Sequence, residues 1–310
     1  VLKNLLDLGE SVVAYDLSAD TRRAAMIVEA ETLSRVVQVT GDVCDVDGLV
    51  GAIDAHAITH VIHLAALQVP FCKADPIKGA RVNVLGTLAV LEAIRRSEGR
   101  IPRLSYASSA AVYGSEAEEG GGMVTEADDP HPGTHYGVFK RANEGNARVY
   151  WNDEGIPSVG FRPLTVFGPG RDQGITSSPT VACKAAVVGK KYHIPFGGKT
   201  AMVYVDDVAK LFIAAADAGL DGARVYNVCG EIVSMADIVG AIHEASGTRD
   251  LIGFDAEKSI PITPLIDEGK LRQDFKEIGM TRFSDGMRST VATFQSLHEQ
   301  GRLDTREIQS

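Results

Sequence analysis

The chain has 310 residues, 45% of them hydrophobic and 23% charged, with a formal net charge of −10 and a pI near 5.3. That balance permits a large apolar core and excludes a nucleic-acid surface, because no cluster of Lys and Arg interrupts the acidic average. No apolar run reaches the roughly 18 residues needed to span a bilayer, and the first residues lack a basic stretch followed by an apolar one, so no membrane partner and a cytoplasmic location are expected.

In chain order, Leu2, Leu5, Leu6 and Leu8 fall near one helical face, and Gly9 follows as a helix stop. Ser11 to Asp16 is a short β-rich run, followed by a polar helical stretch and then Val36-Val37-Gln38-Val39. Further short apolar runs occur at Val61-Ile62-His63-Leu64, Arg103 to Ala107, Val159-Gly160-Phe161 and Val225 to Val228, with helical patterns between most of them. Such alternation predicts an α/β protein with a doubly wound, mostly parallel sheet. After about residue 168 the pattern is richer in Gly, Pro and Thr, which predicts a smaller C-terminal α/β substrate-holding region over 169–310, with some segments returning to the first domain, 1–168. Glu116 to Asp129, with Glu118-Glu119-Gly120-Gly121-Gly122, reads as a flexible surface loop, because its carboxylates would repel a phosphate. Cys44, Cys72, Cys183 and Cys229 lie far apart, so neither a disulfide framework nor a metal site is expected.

The strongest local signal is Tyr136-Gly137-Val138-Phe139-Lys140, preceded by Ser108-Ser109-Ala110-Ala111-Val112-Tyr113-Gly114. Residues i and i+4 share a helical face, so the phenol and the ammonium can converge on one pocket. A nearby cation favours phenolate and would lower the Tyr136 pKa, suiting it to acid/base work, while a serine hydroxyl opposite can polarise the same substrate oxygen. Alone, such a pair is usually a solvated helix face, and the order of the surrounding motifs decides the matter. Asp16 after a strand, Gly41-Asp42-Val43, His63-Leu64-Ala65-Ala66, Asn83-Val84-Leu85-Gly86-Thr87, the serine segment, Tyr136 to Lys140, Arg162-Pro163, Phe167-Gly168-Pro169-Gly170 and Tyr204-Val205-Asp206-Asp207 follow in series. This series resembles the extended short-chain dehydrogenase/reductases, most closely their NAD-dependent epimerase/dehydratase branch, and spans almost the whole chain.

The resemblance implies a Rossmann-like NAD-binding domain and assigns roles by position. Ser109, Tyr136 and Lys140 match the catalytic set, with Ser108 a second candidate beside Ser109. Asp16 matches the carboxylate that accepts hydrogen bonds from the adenine ribose, favouring NAD, while Arg22 and Arg23 keep NADP open. Asp42 and Val43 match adenine contacts, and Ala65 and Ala66 match small residues along the cofactor. Asn83 matches a supporting asparagine, and Pro163 completes the cofactor set. The family's glycine-rich pyrophosphate turn has no counterpart here: Val1 already lies in a helical pattern, so the strand and turn are expected to precede it.

Two departures shape the expected activity. Ala110 and Ala111 stand where related sugar dehydratases carry an Asp–Glu pair, which disfavours dehydration, and Thr200 stands where nucleotide-sugar enzymes carry a diphosphate-gripping arginine. Lys199 is adjacent and could compensate. The substrate expected is therefore a sugar, sugar acid or polyol without a nucleotide handle, contacted by Ser108, Ser109, Thr165, Thr176 and Ser177, with Gln68 and His135 as further candidates. The alternatives are a nucleoside-diphosphate-sugar epimerase and a non-catalytic cofactor-binding regulatory module. Cys72 has no sequence neighbour that would mark it as a nucleophile. The resemblance also implies a homodimer through helices at about 75–97 and 136–153.

Overall fold

The computed structural model describes residues 1–114 and 122–308, so residues 116–121 of the acidic, glycine-rich stretch expected to be a surface loop lie outside the described residues. The described remainder of that stretch is held in place. Val124 forms a bridge with Ile266, and the Asp128 carboxylate accepts from the Thr125 backbone N–H at 2.7 Å.

The chain runs through α1 (Leu2–Asp7), β1 (Val13–Asp16), α2 (Arg22–Ala25), α3 (Ala30–Leu33), β2 (Val37–Thr40), α4 (Val46–Ala55), β3 (Val61–His63), α5 (Val69–Ala74) and α6 (Pro76–Ala80). A π-helical turn at Arg81–Leu85 leads into α7 (Gly86–Arg96), then β4 (Leu104–Ala107), a short 3₁₀ turn at Ala110–Val112, α8 (His135–Glu154), β5 (Ser158–Pro163) and β6 (Thr165–Phe167). The rest comprises α9 (Ser178–Val187), β7 (Tyr192–Ile194), β8 (Lys199–Tyr204), α10 (Val205–Asp217), β9 (Ala223–Val228), β10 (Glu231–Ser234), α11 (Met235–Ser246), β11 (Ile252–Phe254), α12 (Gly269–Asp274) and α13 (Phe283–Glu299).

Each β-rich run named above becomes a parallel strand. β1 pairs with β2, while β3, β4, β5 and β9 form a second parallel sheet in that order. Alternation of side chains then decides which helices cover which face. Leu104 and Tyr106 of β4 meet Leu91 and Ile94 of α7 and Ala147 of α8, whereas Val159 and Phe161 of β5 meet Leu211 and Phe212 of α10 and Leu271 of α12. The result is a doubly wound α/β layer, as the alternation predicts.

β5 ends at Pro163, and β6, which starts at Thr165, already belongs to another sheet with β8 and β10. That sheet and α9, α11 and α13 share a core around Phe167, Met202, Ile238 and Phe294. β9 and α10 return to the first layer, so the second region is not contiguous in sequence. No helix among the described residues is long and apolar enough to cross a membrane.

Candidate active site

The site is built where β4 runs out beside the first turn of α8. Thr134 caps α8, its hydroxyl accepting from the Gly137 N–H at 3.1 Å, and this sets Tyr136 in the first turn with Lys140 one turn further on. The Ser109 hydroxyl accepts from the Ala111 N–H at 3.2 Å, which leaves its own proton free, and it lies near enough to the Tyr136 phenol to lower that group's pKa. The Lys140 ammonium is 97% buried, lies 5.6 Å from the Tyr136 ring centroid and donates to the Ala107 carbonyl at 2.6 Å. Serine, tyrosine and lysine therefore converge at the carboxyl end of a parallel strand, where open α/β sheets bind ligands.

The electrostatics differ from the expectation that Lys140 lowers the tyrosine pKa. Burial pushes the Tyr136 phenol up, and the opposing pulls come from the Ser109 hydrogen bond and the positive charge of Arg171. Lys140 is itself lowered to about 8 by burial, and one of its ammonium protons goes to the Ala107 carbonyl. Arg171, in the turn after Gly168-Pro169-Gly170, is the functional group that sequence reasoning missed. Its guanidinium donates to the Thr176 hydroxyl at 2.9 Å and to the Gln68 side-chain oxygen at 3.4 Å, so it joins the loops after β3 and β6 across the cleft.

The cofactor candidates line the carboxyl edges of the strands. Asp16 ends β1 with an exposed carboxylate, one oxygen of which accepts from the Ser18 N–H at 3.0 Å. Asp42 follows β2, accepts from the Cys44 N–H at 2.9 Å and pairs with Arg81 at 3.2 Å, and the two hold its carboxyl below the usual range. Val43 packs against Gly86, where an added Cβ would lie 2.7 Å from a Val43 methyl. Ala65 is exposed and Ala66 half-buried after β3, and Pro163 ends β5. A carboxylate without a neighbouring unpaired cation, followed by small residues along the strand ends, is a donor set that fits NAD. Arg22 and Arg23 are both engaged elsewhere: Arg22 with Asp20 at 2.6 Å and Asp304 at 3.9 Å, Arg23 with Asp172 at 2.8 Å.

Several of the expected contact residues also bind within the chain. Asn83 is 99% buried in the π-helical turn, and both its side-chain polar atoms bind the Leu67 backbone, at 2.7 and 2.9 Å. It holds the loop that carries Ala65 and Ala66. Thr165 is fully buried and shares a hydrogen bond of 2.8 Å with Thr200 across β6 and β8. Ser177 is spent on the Gly174 carbonyl at 2.7 Å, and Ser108 on Glu144 at 2.5 Å, which leaves Thr176 and Gln68 beside Arg171. His135 is exposed and stacks on Phe139 at 6.1 Å. Cys72 is buried, donates to the Leu67 carbonyl at 3.2 Å, and is pushed up by burial, which suits a structural thiol.

Gly137 sets the closeness of this site. A Cβ there would stand 2.3 Å from the Ala111 carbonyl oxygen, so Gly137→Ala must part α8 from the 3₁₀ turn behind Ser109. The expected cost is about 1–3 kcal/mol of stability, read from denaturant midpoints, with a loss of activity larger than that destabilisation explains.

Three comparisons bear on this site. The family model described as "NAD dependent epimerase/dehydratase family" matches residues 1–229. UDP-glucose 4-epimerase of Erwinia amylovora is 31% identical over 79% of this chain and 78% of its own length, and UDP-glucuronate 4-epimerase 2 of Arabidopsis thaliana is 24% identical over 93% and 69%. Among solved structures, Thermus thermophilus UDP-glucose 4-epimerase in complex with NAD superposes with a TM-score of 0.80 at 27% identity, covering 95% of this chain and 94% of that one. The chain belongs to the NAD dependent epimerase/dehydratase family of enzymes.

Proposed function

We propose that the protein is an NAD-dependent epimerase of a nucleoside-diphosphate sugar, inverting a secondary carbinol through a transient ketone. The observation that carries the reading is the convergence of Tyr136 and Lys140, one turn apart on α8, with Ser109 at the end of β4, where Lys140 binds the Ala107 carbonyl. Tyr136 in its phenolate form takes the proton of the substrate hydroxyl and becomes the phenol, while Ser109 holds the substrate oxygen and Lys140 holds the nicotinamide ribose. Asp16 holds the adenine ribose, Asp42 and Val43 flank the adenine, and Ala65, Ala66 and Pro163 border the dinucleotide. When bound, NAD supplies the acceptor and later the donor of the carbinol hydride.

The expectation of a substrate without a nucleotide handle rested on Thr200. The names of the relatives favour the alternative, and the geometry agrees with it: Thr200 points into the core, while Arg171 supplies a cation from another loop. A guanidinium beside the acid/base suits an anionic substrate. The test is incubation of the NAD-loaded enzyme with UDP-glucose, UDP-glucuronate, free glucose and gluconate, followed by NMR and absorbance at 340 nm. Appearance of an epimer of a UDP-sugar without net reduced cofactor supports the proposal. Net reduced cofactor from a free sugar or aldonate overturns it in favour of a dehydrogenase.

We also propose a homodimer. Val138 and Val149 are 47% and 51% exposed on one face of α8, and the adjoining α6, π-helical turn and α7 expose Ile77 at 82% and Leu85 at 54%. Aligned apolar side chains on two neighbouring helices are a surface that a second copy can cover. Sedimentation is expected to give twice the 33.0 kDa chain mass, falling to one chain in Val149→Glu. A single-chain mass for the unaltered protein would overturn it.

A further inference from the structure

We propose that Ser108, Glu144 and Arg162 are positioning residues for the reaction, a buried clamp that forces the Ser109 hydroxyl onto Tyr136. The inference rests on the catalytic reading of Ser109 and Tyr136 given above. Glu144 stands four residues beyond Lys140, on the same face of α8. Its carboxylate accepts from the Ser108 hydroxyl at 2.5 Å and from Arg162 twice, at 2.8 and 2.7 Å, with the Arg162 and Glu144 side chains only 4% and 9% exposed. Arg162 also donates to the Tyr113 hydroxyl, its guanidinium carbon 4.9 Å from that ring centroid, and the Tyr113 hydroxyl lies 2.8 Å from the Asn227 side-chain oxygen.

These bonds grip the catalytic segment at three points. Lys140 holds the Ala107 carbonyl, Glu144 holds Ser108, and Arg162 with Asn227 holds Tyr113. Ser109 lies between them in an extended conformation, φ −163° and ψ 148°. Successive side chains of an extended segment point to opposite sides, so drawing Ser108 down to Glu144 turns Ser109 up toward the phenol. Residues one turn apart on α8 thus make two rungs to adjacent residues of the strand end. Together they fix the gap between Ser109 and Tyr136.

Ser108→Ala removes the lower rung and leaves the Arg162–Glu144 pair intact. The control is Ser105→Ala, which deletes an equally buried hydroxyl of the same strand that donates to the Phe212 carbonyl at 2.9 Å, remote from Ser109. In the full chain loaded with NAD and assayed with UDP-glucuronate, Ser108→Ala is expected to lower kcat by about 10-fold while changing KM by less than about 2-fold. The other groups facing the phenol are Arg171 from its loop, Lys140 from the same helix and Cys72 from α5. With Ser109 released and these unchanged, Tyr136 is expected to titrate at higher pH, and the rising limb of the pH–rate profile moves with it. Carbon-13 NMR of ring-labelled tyrosine, with the Tyr136 signal identified by Tyr136→Phe, reads the same shift without any substrate. An unshifted Tyr136 in Ser108→Ala, or an equal shift in Ser105→Ala, overturns the clamp. Full activity in Tyr136→Phe overturns the catalytic reading instead, which separates the two failures.

Discussion

Tyr136→Phe lowers kcat by about 10²- to 10⁴-fold, the usual contribution of a positioned acid/base, and leaves KM nearly unchanged because the ring still fills its place. The residual rate loses its dependence on the alkaline limb, since no phenol remains to titrate. Stability carries the matching signature. Burial raises the folded-state pKa of this phenol above the ordinary 10.0, so the folded chain holds the proton more tightly than the unfolded chain. The stability this contributes is complete below pH 10 and declines as the pH rises through the folded-state value. Denaturant melts carried above pH 10 are therefore expected to show the native protein losing stability relative to the phenylalanine variant. A variant with more than a tenth of the native kcat would exclude Tyr136 as the proton carrier.

Glu144→Ala has the largest expected effect on folding. It leaves the Arg162 guanidinium buried with only Tyr113 to receive its protons, and breaking such a pair costs about 3–5 kcal/mol. Urea unfolding at neutral pH should show the loss as a lower midpoint at similar slope. Glu144→Ala with Arg162→Met recovers part of it, because an apolar pair of similar volume no longer buries an unpaired charge. The recovered protein should fold yet remain slow, since Ser108 still lacks its acceptor. Recovery of kcat together with stability would show that the network serves folding alone.

What the sequence made legible follows from which forces act locally. The strands of the parallel layer are short β-branched and aromatic runs bounded by polar residues, and their hydrophobic pattern is enough to place them. The crossing at Leu164 is not local, because β6 differs from β5 only in its pairing partner. Hydroxyl residues were the least readable. Ser109 and Thr165 look alike in sequence, but one is at a strand end facing a phenol and the other is satisfied by Thr200 across a register that no motif announces. Glu144 stood in plain view four residues after Lys140, yet a charged residue on a helix is ordinarily solvated. Its burial follows from Arg162, eighteen residues away, folding back on the same face. Thr200 shows the weakness of arguing from a missing side chain: a charge absent at one position can be supplied by a different loop, the part proposed above for Arg171.

Arg22 and Arg23, which follow β1, bear on how coenzyme choice can evolve. Arg23 reaches Asp172, next to Arg171, and Arg22 reaches Asp304, while Arg302 donates to the Ala25 carbonyl at 2.7 Å. The same cations that could greet a phosphorylated ribose are thus stitching the segment after β1 to the far half of the molecule. Recruiting them for a new coenzyme would unpick that seam, so a lineage switching preference must first install a fresh basic residue or tolerate a looser hinge between its two halves.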